Sequence, residues 1–254
     1  MKTSLFLTCT ILVSILFQSC SIDPSNTSTQ LPVANTSAPQ DYQYLLIKYV
    51  TPSGVRYNAW ANNSADLAKL KNVTNHYASN TAPTDQKDAL AWYLNAYNAW
   101  TLQKIFNDWP NEGPLNSSIL FFHKKNIQLS GKRISLSHLE NDIIRKEFNE
   151  PRIHFALNCA SRSCPPLHNK AFKAATLEPT LERLTKNFIN NNPHAIVEQN
   201  DEVKISKIFD WYKEDFGDDD TELLRYINQY RTKKIPLGKR IKILPYNWQL
   251  NRAE

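Results

Sequence analysis

Cys159 and Cys164 are separated by Ala160-Ser161-Arg162-Ser163, and His154 stands five residues before the first of them. Three chemistries use such residues. A thiol pair across so short a loop can close a disulfide in an oxidising compartment. Its stabilisation would fall at the low end of ~2–4 kcal/mol, because a small loop removes little unfolded-state entropy. Alternatively Cys159 acts as a nucleophile, with His154 as its general base and an amide such as Asn95 orienting the imidazole. Cys159, Cys164, His168 and His154 also suffice in number and type for tetrahedral zinc. Their spacing matches no standard zinc ribbon, and no metal or other cofactor is expected.

Further candidates are polar residues set in apolar surroundings. Asn95 and Asn98 interrupt Leu90-Ala91-Trp92-Tyr93-Leu94-Asn95-Ala96-Tyr97-Asn98-Ala99-Trp100-Thr101-Leu102, a run that is apolar or aromatic around nearly its whole circumference. Such a helix is buried on every side, and residues three apart share a face. An unpaired buried amide costs on the order of 2–7 kcal/mol, so both side chains must bond to the fold or to a ligand. Arg145 and Arg152 have the side chain that grips a carboxylate or phosphate bidentately; a salt bridge with Glu140 is the structural alternative. Glu140 follows Ser137 at capping-box spacing. Asp218-Asp219-Asp220 lacks the alternation of a calcium loop and suits a helix N-terminus.

The elements that must position these groups follow from periodicity. The pattern predicts helices over 42–49, 64–79, 84–106, 137–148, 177–190, 206–216 and 220–231. It predicts hairpins over 126–136, turning at Ser130-Gly131, and 195–205, turning at Asn200-Asp201, with short strands near 55–57 and 241–244. Pro151 to Cys159 alternates so that Ile153, Phe155 and Leu157 share one strand face while Arg152, His154, Ala156 and Asn158 share the other. No βαβ rhythm or repeat is present. The expected class is α+β, a mainly helical single domain with a small antiparallel sheet and a central buried helix.

Three segments carry a family resemblance: Trp92-Tyr93-Leu94-Asn95-Ala96-Tyr97-Asn98-Ala99; Arg152 to Cys159 with Ser163-Cys164-Pro165-Pro166-Leu167; and Ile208-Phe209-Asp210-Trp211-Tyr212-Lys213-Glu214-Asp215-Phe216. Together with Tyr246-Asn247-Trp248-Gln249-Leu250-Asn251 they resemble the hallmarks of DUF547, a domain of unknown function, over roughly 42–251. The resemblance implies a fold shared with proteins of bacterial envelopes, plants and nematodes, and no established activity. An aromatic helix beside His154-Phe155-Ala156 also resembles a papain-type core, but the helix has asparagine where that core would place its nucleophilic cysteine. Either Cys159 serves from elsewhere or the domain is a non-catalytic relative.

At the N-terminus, Lys2, the apolar stretch from Leu5 to Phe17 and Gln18-Ser19-Cys20 read as a secretory signal. The stretch is shorter than the ~20 apolar residues of a membrane span, and Cys20 is the expected lipidation site. The predicted organisation is a lipoprotein signal peptide over 1–19, a flexible Ser/Thr/Asn/Pro tether over 20–40 and one globular domain over 41–254. Ser21 is not an inner-membrane retention aspartate, so the expected location is the bacterial cell envelope, lipid-anchored, at the outer membrane or periplasmic face. The net charge of +6 is modest. The basic stretch from Arg231 to Lys242 reads as a solvated face or as contact with anionic lipid or cell-wall polymer, and no nucleic-acid partner is expected. The expected partners are the bilayer, through the acyl anchor, and a peptide, glycan or protein ligand. The favoured function is a non-catalytic binding or structural module. The alternative is a thiol-dependent hydrolase or acyltransferase of papain or transglutaminase type, acting on peptide or cell-wall material.

Overall fold

Ala38 begins helix α1 (Ala38–Tyr49), in which Tyr42, Leu45, Leu46 and Tyr49 recur at helical spacing and are buried together. The computed structural model describes residues 38–110 and 118–253, so the expected signal peptide, Cys20 and residues 20–37 of the tether lie outside it. The helix starts inside the segment expected to be tether, because Ala38 and Tyr42 belong to the core. Strands β1 (Val50–Thr51) and β2 (Gly54–Val55) then form a minimal hairpin. Tyr57, expected to continue a strand, instead opens helix α2 (Tyr57–Ala61), where it and Trp60 are buried.

Helix α3 (Ser64–Ser79) has the predicted span, but its N-cap is Asn63, whose side chain accepts from the Asp66 amide at 3.0 Å. Helix α4 (Gln86–Asn107), capped by Asp85, is the central helix, buried continuously from Leu94 to Ile105. Helix α5 (Ser118–His123) leads to strands β3 (Ile127–Leu129) and β4 (Lys132–Ile134). Their turn places both Ser130 and Gly131 at positive φ, the backbone that matches strand twist in a two-residue hairpin.

Helix α6 covers 136–147 and is π-helical over Leu139–Ile144. Its N-cap is Ser135, accepting from the His138 amide, rather than Ser137 as expected. That frees Glu140 from capping. The expected strand 151–159 is instead a 3-10 helix, Pro151–Phe155, with Pro at its first turn and Glu150 accepting from the Arg152 amide. The alternating pattern misleads because Ile153 to Asn158 are buried whichever way they face.

Helix α7 (Leu177–Asn191) follows, then a three-stranded sheet in the order β5 (Ile196–Glu198), β6 (Glu202–Ile205), β7 (Arg240–Ile243). β6 pairs antiparallel with β5 but parallel with β7, so the small antiparallel sheet expected is distributed over three separate sheets, one of them mixed. The helix expected over 206–216 breaks at Tyr212 into α8 (Ile208–Trp211) and α9 (Lys213–Phe216), before α10 (Asp220–Tyr230). The result is a mainly helical α+β domain. One apolar cluster is built on α1 to α6 and the first turns of α7; a second, including Phe155, Phe188, Phe209 and Phe216, is built on the end of α7, α8 to α10 and the mixed sheet.

Candidate active site

The residue after Cys159 is under backbone strain. Ala160 has φ +61°, in the left-handed region that residues with a Cβ seldom occupy. Neighbouring groups hold it there. Asn158 Oδ1 accepts from the Ala160 amide at 3.0 Å, while Asn158 Nδ2 donates to Pro165 O at 2.8 Å. Residues 246–253 cross the loop as a strap: the Asn251 amide donates to Ala160 O (3.0 Å), the Arg162 amide to Gln249 O (2.8 Å) and the Ser163 amide to Asn247 O (3.2 Å).

Helix α4 supports the loop from behind. Asn98 Nδ2 donates to Ala156 O at 3.0 Å and its Oδ1 accepts from the Asn158 amide at 2.9 Å. Asn95 makes the same pair of bonds with the backbone of Phe172, at 2.9 and 2.8 Å. Both amides are therefore spent on backbone. Neither lines the cavity described next, and Asn95 does not orient His154.

That cavity has a volume of about 260 Å³, and its wall includes Tyr97, Glu140, His154, Cys159, Tyr212 and Tyr246. His154 is 3% exposed. Its Nε2 lies 2.6 Å from Asp215 Oδ2. Asp215 is itself held by Arg145, whose Nε donates to Oδ2 at 2.7 Å and whose Nη2 donates to Oδ1 at 2.8 Å. A carboxylate can only accept, so Nε2 carries the hydrogen and, in the neutral ring, Nδ1 carries the lone pair. Nδ1 is bonded to nothing. The ring is stacked on Tyr212 at 4.0 Å between centroids. Burial works to raise the Asp215 carboxyl, but His154 and Arg145 outweigh it and hold it well below the usual carboxylate range.

The two sulfurs are not linked to each other, and the Cys159 amide donates to Cys164 Sγ at 2.9 Å. They differ in surroundings. Burial raises both. At Cys159 it is outweighed by hydrogen bonds from Cys164, Ser161 and Tyr246, so this thiol falls below the ordinary value; at Cys164 burial and the neighbouring sulfur act together and push it up. Ser161 Oγ donates to the Tyr246 hydroxyl at 2.9 Å, which leaves the Tyr246 hydrogen for Cys159 Sγ, 3.1 Å away.

The remaining candidates have structural partners. Arg145 pairs with Asp215 and Glu214, not with Glu140. Arg152 is saturated by Glu150 and Glu178. Each guanidinium is thus engaged by carboxylates of the fold, not left open for a ligand anion. Glu140 accepts from two phenols, Tyr97 to Oε2 at 3.0 Å and Tyr212 to Oε1 at 2.6 Å. His168 lies against Arg183 and Phe172, and among the described residues no three potential metal ligands meet. Sequence reasoning missed Asp215, Tyr212, Tyr246 and Ser161 as site residues. The available signal for the first three was their presence in the blocks 208–216 and 246–251.

The fold and site together define a mainly helical α+β domain in which a cysteine and a histidine held by an aspartate line one cavity. Residues 81–189 match the family model described as protein of unknown function, DUF547, and carry that domain. No curated protein and no solved structure matches the chain. The matched segment holds Tyr97, Glu140, His154, Cys159 and Cys164, while Asp215, Tyr212 and Tyr246 are contributed from beyond it.

Proposed function

We propose that the domain is a thiol-dependent acyl-transfer enzyme, a hydrolase or transferase that opens an amide or ester through an S-acyl intermediate on Cys159. The observation that carries this reading is His154, a ring on the wall of the cavity that Cys159 also lines, with one nitrogen bonded to Asp215 and the other buried without a partner. Nucleophile, base and orienting group are the three parts such chemistry requires. The Cys159 thiolate adds to the carbonyl carbon, whose π electrons move to oxygen. The proton that left the Cys159 thiol is taken up by His154 Nδ1; collapse of the tetrahedral adduct re-forms the carbonyl and breaks the bond to the leaving amine or alcohol, which takes that proton from Nδ1. Water or an acceptor amine then attacks the thioester, giving its proton to Nδ1 and releasing the thiolate.

The binding-module reading has lost one support: Asn95 and Asn98, the amides that suggested a ligand, are engaged by backbone. The test is acetylation by p-nitrophenyl acetate. An acetyl adduct on Cys159 is expected, absent in Cys159→Ser and formed about 10²-fold more slowly in His154→Ala, the lower end of general-base contributions. Failure of the native domain to acetylate at Cys159 would end the proposal.

The anchor belongs to the same proposal. Lys2, the apolar run and Cys20 support a diacylated envelope lipoprotein tethered to the bilayer, with peptide or cell-wall material as substrate. Labelled palmitate incorporated in a bacterial host and lost in Cys20→Ala supports it; equal labelling of both rejects it.

A further inference from the structure

Resting on the acyl-transfer reading, we infer that the cavity selects substrates bearing a primary ammonium group, which Glu140 receives. Glu140 lies in the π-helical turn of α6 and is 8% exposed, and such turns recur at functional sites. Among the described residues it is the only carboxylate on the cavity wall, and none of their lysines or arginines lines it. No cation among the described residues pairs with Glu140; Arg145, one turn further along α6, is turned to Asp215 and Glu214. A buried carboxylate without a cation is costly unless something supplies the opposite charge.

The two phenols define what that partner must be. Tyr97 and Tyr212 each have a single O–H, and both are committed to Glu140. The remaining lone pairs on the carboxylate and on the two phenol oxygens can only accept. An ammonium group, with three donors and no acceptor, complements such a cluster. Glu140 and Tyr97 are buried, while Trp211 is 41% exposed beside Tyr246 and Trp248, at ring centroid distances of 4.7 and 5.5 Å. The carboxylate therefore lies deep and the aromatic side chains form the rim. At about 260 Å³ the cavity is just below the ~300–1,000 Å³ typical of small-ligand sites, which suits one amine-bearing residue rather than a long segment.

Three chloromethyl ketones distinguish the sources of the amine: alanyl, with a free α-amine; N-acetylalanyl, with none; and N-acetyllysyl, with a side-chain amine. In each, the Cys159 Sγ–carbon bond forms as chloride leaves. Labelling of Cys159 in the full chain is followed by mass spectrometry, and every rate is divided by the iodoacetamide rate of the same protein, which removes changes in the thiol itself. At least one amine-bearing reagent should label about tenfold or more faster than N-acetylalanyl, the scale of a hydrogen bond to a charged group. Whichever is fast identifies the α-amine or the side-chain amine. The preference should collapse in Glu140→Gln. Should that variant fail to fold, the native protein still gives the answer: the amide matching the fast reagent, alaninamide or N-acetyllysinamide, but not N-acetylalaninamide, should slow iodoacetamide labelling of Cys159. Equal labelling by all three reagents, or equal effects of the matching amide and N-acetylalaninamide, overturns the ammonium inference and leaves the acyl-transfer reading standing. Reaction with iodoacetamide but with none of the three overturns both.

Discussion

Burial alone would keep both sulfurs protonated, so the difference between Cys159 and Cys164 comes from what donates to them. Tyr246 and Ser161 donate toward Cys159, directly or through each other. The alkylation rate of Cys159 should therefore rise through a midpoint below the ~8.5 of a free cysteine. Tyr246→Phe should move that midpoint up, and a pH–rate profile identical to the native one would refute the role given to the hydroxyl. Asp215 has its own signature. Its folded pKa lies below the unfolded value of ~3.9, so its contribution to stability is fully present above that pH and is lost as the pH falls through the folded pKa. Asp215→Asn should flatten the acid limb of a plot of Tm against pH; an unchanged slope between pH 2 and about 5 would contradict this.

At the scale of elements, the long helices were legible and the segment bearing His154 and Cys159 was not. α3 and α7 announce themselves through apolar residues three and four apart, whereas Pro151–Phe155 alternates like a strand and folds as a 3-10 helix. Periodicity reports which side is wet, and a segment buried on all sides has no wet side to report. Pro151 at a first helical position was the better guide. Cys159 and His154 were legible as a candidate pair from type and proximity, but Asp215 lies 61 residues from His154, and nothing in the sequence ties the two together. The break at Tyr212 that separates α8 from α9 leaves no mark in the hydrophobic pattern. Asn98 ties α4 to the chain on either side of Leu157, so Asn98→Ala should cost about 1–3 kcal/mol, the price of unsatisfied buried groups. Chemical denaturation would measure it, and a loss below about 0.5 kcal/mol would mean that water replaces the amide.

For the whole molecule, the site depends on chain well separated in sequence. Its cysteine and histidine lie within residues 81–189, its aspartate in α9 and its thiol-directed phenol in the strap. The strap is also fixed from the opposite side, through β2. Gly54 has φ +132°, and a Cβ there would lie 2.2 Å from Asn251 O. Gly54→Ala should therefore dislodge 251–253 and raise the alkylation midpoint of Cys159 without touching the cavity. A variant with native pH dependence would show that the strap tolerates the shift.

Because Tyr246 reaches Cys159 only when the strap lies across the loop, a chain in which residues 246–253 are undocked lacks that donor and carries a less acidic, slower thiol. Part of the acidity of Cys159 thus arrives with the docking of the strap, so the alkylation rate of this one sulfur gauges whether residues 246–253 are in place.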